Sequence, residues 1–374
     1  MKIGLVLDDT LDTPDGVQQY VLNVGTWLST QGHDVHYLVG ATTRTDIPNI
    51  HSLGRNVKVR FNGNKMSIPL PAARRRLRAF LEAEQFDVLH VQVPYSPMLG
   101  GRLVAAAPAT TAVVGTFHIL PYSRLVTFAN HLLAVLNRTT GKRFDQMLAV
   151  SAPAQDFARA VYGYEADVVP NPVNLAQFNG ITSDSTTTNI VFLGRLVERK
   201  GVQYLLQAVA SLRARQLYDG ELRVHIGGKG DLRPRLEQFV HANGLDDMVQ
   251  FYGFIDEAHK AHFLSQGDLV VYPSVSGESF GIVLLEAMAS ARGVVLAGDN
   301  PGYASVMQLY PLQLFDPRDP GLLAEKIAWY LDRPVERDAA AKLQHEYVQH
   351  FDINVVGSRL LTIYKRVLQT RRSM

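Results

Sequence analysis

The sequence predicts an α/β protein of two doubly wound units, and three observations carry that expectation. Short apolar runs alternate with longer amphipathic segments along the whole chain, as parallel sheets covered by helices require. The alternation breaks at Val169-Pro170-Asn171-Pro172-Val173-Asn174, where two prolines around an asparagine can continue neither strand nor helix. The 374 residues are enough for two cores at roughly 150 residues per domain. Units are expected over residues 1–169 and 170–350, with 351–374 a last helix packing back on the first unit.

Residues 3–7 read as the first buried strand. The apolar run stops at Asp8-Asp9, too early for a secretory core of about 7–15 apolar residues, so the protein is expected in the cytoplasm. Residues 17–30 have helical spacing through Val17, Val21, Val24 and Leu28, and Gly32 is placed to end that helix. Strands are expected at 35–39, 57–60, 88–91, 112–115 and 147–150. Past the Pro-Asn-Pro break, 182–188 is a polar surface loop. The alternation then restarts with strands at 190–193, 222–226, 249–252, 269–272 and 294–296, and helices at 202–214, 232–242, 258–264 and 282–289. A helix over 355–368 ends the chain. Two such units facing each other would leave a central cleft, with ligands at the carboxyl ends of both sheets.

Composition narrows the chemistry. Apolar residues make up 47% and charged residues 19%, as in an ordinary globular protein. The formal charge is 37 − 35 = +2, which argues against wholesale nucleic-acid binding. There is no cysteine, so disulfides, thiolate metal sites and a cysteine nucleophile are excluded. The histidines lack metal-ligand spacing, and no metal is expected. No apolar run reaches the roughly 18–20 residues that span a bilayer.

Four constellations fall on loops that would reach the cleft. Gly16, in Pro14-Asp15-Gly16-Val17, opens the first helix and would let backbone N–H groups approach a phosphate, although such a glycine is also a common turn residue. Gly194-Arg195-Leu196-Val197-Glu198-Arg199-Lys200-Gly201 follows the first strand of the second unit. There Arg195 offers a planar fork of donors and Lys200 a point charge, a pair suited to a diphosphate leaving group or simply to a solvated loop. Glu278-Ser279-Phe280-Gly281, with Glu286 eight residues beyond Glu278, places two carboxylates around a helix start whose N–H groups suit a phosphate. His118 ends the run Gly115-Thr116-Phe117-His118 at a strand's carboxyl end, where a histidine can meet a sugar hydroxyl or be structural. Gly227-Gly228-Lys229-Gly230 does not fit the dinucleotide spacing, because Leu232 and Arg233 stand where a glycine would be needed.

At these residues the sequence resembles the retaining GT-B glycosyltransferases of family 4. The resemblance runs over essentially the whole chain through Gly32-His33-Asp34-Val35, Phe86-Asp87-Val88-Leu89-His90, Val169-Pro170-Asn171, Gly194-Arg195 with Lys200-Gly201, and Glu278 with Glu286. The chain looks most like the phosphatidylinositol mannosyltransferases, in the first half through Gly16-Val17-Gln18, Asn62-Gly63 and Thr116-Phe117-His118 and in the second through residues 277–284. The resemblance implies a GT-B fold and transfer of a sugar from a nucleotide diphosphate, with GDP-mannose favoured over a UDP-sugar and no tightly bound cofactor. It implies that Arg195 and Lys200 hold the diphosphate, approached by Gly16. Glu278 would meet the donor sugar, Glu286 the ribose, Ser279, Phe280 and Gly281 the phosphate or sugar, and Ile255, Asp256 and Lys260 the base. His118 would sit beside the anomeric centre, with Asp9, Asn62 and Gly63 on the acceptor side. Three acceptor-side positions depart from the inositol enzymes: Asp9 replaces a stacking aromatic, Asp15 a glycine, and Ile119 a small polar residue.

The segment Arg74-Arg75-Arg76-Leu77-Arg78 continues through Ala79 to Phe80-Leu81. Read as a helix, it gathers Leu77, Phe80 and Leu81 on one side among four arginines and suits an anionic membrane surface. The expected activity is therefore a peripheral, inner-face retaining hexosyltransferase acting on a lipid-linked acceptor. The rivals are the same enzyme using UDP-glucose with a diacylglycerol or soluble acceptor, a nucleotide-sugar epimerase, and a non-catalytic nucleotide-sugar-binding protein.

Overall fold

The computed structural model describes residues 1–12, 15–61, 64–69, 73–121, 124–178 and 187–373. It divides into two units, Met1–Pro172 with Ile353–Met374, and Val173–Asp352. Of the polar run expected at 182–188, residues 182–186 lie outside the described residues, and Thr188 opens a strand.

The strands of the first unit are β1 (Lys2–Leu7), β2 (Asp34–Val39), β3 (Ile50–Ser52), β4 (Asn56–Phe61), β5 (Asn64–Pro69), β6 (Val88–Gln92), β7 (Ala112–Phe117), β8 (Gln146–Ala149) and β9 (Ala166–Val168). Seven form a parallel sheet in the order β3-β2-β1-β6-β7-β8-β9. Strand periodicity sends Ile3, Leu5 and Leu7 to one face. They pack there on Tyr20, Val21, Val24 and Leu28 of the helix Gly16–Thr30 and on Leu360 and Tyr364 of the helix Ile353–Ser373. Val6, Leu89 and Val91 face the other way, onto the helices Arg74–Glu84 and Leu99–Ala106. Each large aliphatic side chain buried this way contributes about 1.5–3 kcal/mol.

The segment at 57–60 is a strand, but not of this sheet. As β4 it pairs antiparallel with β5 in a separate two-stranded ribbon. In sequence, Val57 and Val59 alternate with Lys58 and Arg60, whereas a parallel strand covered on both sides reads as a continuous apolar run. The chain between β4 and β5 reads Asn62-Gly63, the dipeptide favoured in hairpins; both residues, expected above on the acceptor side, lie outside the described residues.

The second unit holds β10 (Thr188–Leu193), β11 (Leu222–Gly227), β12 (Val249–Gly253), β13 (Leu269–Tyr272), β14 (Val294–Gly298) and β15 (Leu314–Phe315). They form a parallel sheet in the order β12-β11-β10-β13-β14-β15. Ile190, Phe192, Val224 and Ile226 are buried against the helices Val202–Ala214 and Pro320–Leu331. The two ends of the unit are tied together: Val173 bridges to Asp352, and the Val173 amide donates to the Phe351 carbonyl at 2.9 Å. The last helix, expected over 355–368, runs from Ile353 to Ser373 and belongs to the first unit. Its Trp27 contact is fixed by the indole donating to Asn354 Oδ1 at 2.9 Å.

Both sheets reverse direction of growth, between β1 and β6 and between β10 and β13. In an open parallel sheet the loops that leave such a reversal at the carboxyl ends part from each other and leave room for a ligand.

Candidate functional site

In the second unit the two loops at the reversal are the charged motifs. The strand β10 leads into Gly194-Arg195 and a short turn over Glu198–Lys200; β13 leads into the loop that ends at Gly281, the N-cap of the helix Ile282–Ser290. Arg199 Nη1 and Lys200 Nζ each lie 2.9 Å from Glu278 Oε1, and all three side chains are largely buried. Burial pushes the Glu278 carboxyl up, but Lys200 and then Arg199 outweigh it and hold the carboxyl below its usual range. Burial likewise presses the Lys200 ammonium down; Glu278 opposes this, while Arg199 and Arg195 add to it. Arg195 is therefore within electrostatic reach of the same group. Two cations share a single carboxylate oxygen, so the cluster keeps a net positive charge and ammonium and guanidinium N–H groups to offer an anion.

The backbone holds this arrangement rigidly. Gly201 has φ +71°, and a Cβ there would overlap the Pro273 carbonyl, so no other residue fits between the cation turn and β13. Asn300, after β14, donates to the Ser274 carbonyl at 2.9 Å and fixes the loop leading to Glu278. Gly227-Gly228-Lys229-Gly230 gains a purpose here. A Cβ at Gly228 or Gly230 would strike the carbonyls of Gly194 or Leu196, and the Leu196 amide donates to Lys229 at 2.9 Å. These glycines let the β11 loop support the Arg195 loop.

The other second-unit residues are engaged differently from the expectation. Glu286 and Lys260, expected at the ribose and base, meet each other at 2.8 Å, and Lys260 also reaches Glu257 at 2.7 Å. Burial keeps the Glu286 carboxyl above its usual value despite Lys260. Asp256, expected at the base, is an exposed N-cap of the helix Glu257–Ser265, accepting from the His259 amide at 3.0 Å and its ring at 2.6 Å. Ile255 is half-buried just before it. Ser279 is half-buried, and Phe280 is buried with its ring 6.1 Å from Phe351.

The reversal in the first unit is built from different groups. Gly16 opens its helix with no atom within 4 Å of where a Cβ would be, so the fold itself does not demand a glycine there. Asp9 is half-exposed and its Oδ1 accepts from the Thr10 amide at 2.7 Å. Asp8, one residue earlier, is half-buried with Oδ2 out of solvent, and its Oδ1 accepts from the Gly100 amide of the helix Leu99–Ala106 at 2.5 Å; burial raises its carboxyl to about 6. His118 follows β7 with Nε2 2.7 Å from Gln92 Oε1, and its ring stands edge-on to Tyr20 at 5.0 Å. Burial lowers its pKa to about 3, so the ring is neutral near pH 7. A neutral ring paired with a carboxamide oxygen must carry its proton on Nε2, leaving Nδ1 as an acceptor. A second layer lies below: His90 sits between Thr116 Oγ1 and Tyr364 OH, at 2.6 Å each, and burial lowers it to about 3 as well.

Residues that the sequence reading did not single out are Arg199, Gln92, His90, Tyr20 and Tyr364. Only Arg199 carried a local signal, as the third cation of its loop. Val93, directly after Gln92, has φ +60°, a strained setting for a β-branched residue beside the reversal.

The basic segment at 74–81 needs correction. It is a helix, Arg74–Glu84, but Leu77 and Leu81 are buried in the first unit's core and Phe80 packs on the same cluster. No apolar side remains for a membrane; Arg74, Arg75, Arg76 and Arg78 form a solvated outer face. Among the described residues no helix is long and apolar enough to cross a membrane.

The model of glycosyltransferase family 4 matches residues 14–177, and that of the group 1 glycosyl transferases matches 175–347. The chain is 31% identical over 384 residues to a phosphatidyl-myo-inositol mannosyltransferase of Mycolicibacterium smegmatis, covering 98% of this chain and 94% of the relative. It is 33% identical over 315 residues to one from Propionibacterium freudenreichii subsp. shermanii, covering 79% and 77%. Among solved structures, Anabaena HepE in complex with UDP aligns with a TM-score of 0.76 at 17% identity, covering 98% of this chain and 100% of that one. A glycosyltransferase from Rickettsia africae aligns at 0.75 and 17%, covering 98% of each.

Proposed function

The chain belongs to the family 4 glycosyltransferases of GT-B fold, and on that premise we propose that it transfers mannose from GDP-mannose to a lipid-linked acceptor at the inner membrane face, with retention at the anomeric carbon. The observation that carries the reading is the paired Arg199 and Lys200 on one oxygen of Glu278, at the sheet reversal and with Arg195 in reach. A glycosyl transfer breaks the bond from the anomeric carbon to a diphosphate oxygen, so charge accumulates on that diphosphate. Fixed cations in a half-dry site stabilise it without reorganising.

In this reading Arg195, Arg199 and Lys200 hold the diphosphate, and the N–H groups of Ser279, Phe280 and Gly281 help at the helix start. Glu278 orients the donor sugar through its hydroxyls, and Glu286, released from Lys260, takes the ribose. Gly16 gives the diphosphate room. His118 offers its neutral ring to a sugar hydroxyl, while Asp9, Asn62 and Gly63 serve the acceptor. The new bond forms from an acceptor hydroxyl to the anomeric carbon on the face the diphosphate leaves, and the hydroxyl proton passes to the departing diphosphate oxygen. Support for mannose comes from the relatives named above as mannosyltransferases. The base-side residues add little, because Asp256 caps a helix and Lys260 is held by two carboxylates.

A donor-by-acceptor matrix on the purified protein tests the proposal. GDP-mannose with phosphatidylinositol or another membrane lipid should give product, and GDP should raise the melting temperature more than UDP. Turnover of UDP-glucose instead, with the larger stabilisation by UDP, would overturn the donor assignment.

A further inference from the structure

We propose that the helix Arg124–Leu136 of the first unit docks on an anionic lipid surface, with its outward apolar stripe entering the boundary between headgroups and acyl chains. The helix is inside out. Phe128, Leu132, Val135 and Leu136 are 70%, 59%, 71% and 61% exposed, and their spacing puts them on one stripe. The inward side is held by amides: Asn130 accepts from Tyr162 OH at 2.6 Å, and Asn137, just past the end, donates to the carbonyls of Tyr95 and Leu133. Both asparagines are buried, at 3% and 2%. A helix with two buried amides behind it and four large apolar side chains in water, Phe128, Leu132, Val135 and Leu136, is positioned for a surface that will cover them.

Charge selects the occupant. No Asp or Glu occurs from residue 88 to residue 144, while that stretch carries Arg102, Arg124, Arg138, Lys142 and Arg143. Arg138 and Lys142 are exposed immediately after the apolar stripe. Amphipathic helices that lie in a membrane interface combine an apolar stripe with flanking cations that are drawn to anionic lipid. A two-fold pairing of identical stripes would instead bring two acid-free, cationic segments together. The helix also begins 124 − 118 = 6 residues after His118, so the surface that receives it lies close along the chain to the proposed acceptor side. The choice of lipid rests on the lipid-acceptor reading above.

Vesicle flotation measures the docking without any sugar transfer, so its failure and the failure of the proposed reaction are distinguishable. The full chain should float with vesicles of phosphatidylcholine and phosphatidylglycerol, and less at high salt or with phosphatidylcholine alone. Leu132→Ser with Val135→Ser should lower binding by about ten-fold or more while leaving the GDP-induced melting shift unchanged. Val135→Trp should show an emission blue shift on adding the anionic vesicles. Equal flotation of the double serine variant and the parent would overturn the proposal. So would a concentration-dependent dimer that the serines dissolve, or a Val135→Trp shift produced by nucleotide without lipid.

Discussion

The two units carry the same kind of sheet with the same reversal, yet they equip it in opposite ways. The second unit sets charge against charge: Glu278 under Arg199 and Lys200, Glu286 against Lys260. The first unit sets neutral groups in a buried relay: His118 on Gln92, His90 between Thr116 and Tyr364. A charged cluster grips a charged ligand and depends on every partner being present. A neutral relay fixes which ring nitrogen bears a proton and depends on pH. In the reaction proposed above, the charged cluster serves the leaving group and the neutral relay serves an uncharged sugar.

The largest expected effect removes a cation. Lys200→Ala should lower transfer by about 100–1000-fold, as loss of one preorganised electrostatic contact does. It should also weaken GDP far more than GMP in titration calorimetry; equal losses for both nucleotides would place Lys200 away from the diphosphate. Next comes the backbone beneath it. Gly201→Ala should cost about 2–4 kcal/mol in denaturant unfolding, because φ is positive and the Pro273 carbonyl blocks a side chain. Gly16→Ala, with open space around it, should leave stability within about 1 kcal/mol and yet reduce transfer. If Gly16→Ala keeps full activity, the open space there serves no ligand.

Acid should discriminate the units. His90 and His118 titrate near 3 when folded and 6.5 when unfolded, so the unfolded chain binds more protons between those values and stability falls as pH drops through that window. Asp8 acts in the opposite sense between 3.8 and about 6, because its folded carboxyl holds a proton that the unfolded one has lost. The two histidines outnumber the one aspartate, and His33 and His51, also pressed low by burial, act in the same sense, so the first unit loses stability as the pH drops. Glu278, held low, keeps its contribution until the pH falls below the ordinary carboxylate value of 4.5. Hydrogen exchange at pH 5 against pH 7 should therefore show the first unit loosening first, and His90→Gln should flatten the slope. The smallest effect is Asp256→Ala, expected to cost about 1 kcal/mol as a lost helix cap with no change in GDP-over-UDP preference. A changed preference would return Asp256 to the base pocket.

The same contrast decided what could be read in the chain. Parallel strands such as 190–193 and 269–272 announced themselves as apolar runs between helices, and the helix 202–214 was legible to the residue from its periodicity. The charged site was legible because its partners sit in two compact motifs, Arg195 to Gly201 and Gly277 to Glu286. The neutral relay was legible only in part: His118 closes a motif, and His90 and Thr116 lie in stretches that carry the family resemblance, but Tyr20, Gln92 and Tyr364 are ordinary core residues in any local window and meet them only through tertiary structure. The strand at 57–60 was legible, but its antiparallel partner at 64–69 was not, because residues 64–69 read Asn-Lys-Met-Ser-Ile-Pro and carry no apolar run. The arginine-rich helix misled for a related reason: Leu77 and Leu81 have the spacing of either a core-facing or a membrane-facing stripe, and only the packing decides.

The bridge from Val173 to Asp352 brings the start and the end of the second unit to neighbouring points, so residues 173–352 leave and rejoin the rest of the chain as one block. Replacing that block with the matching segment of a relative would cut no strand of the first unit's sheet.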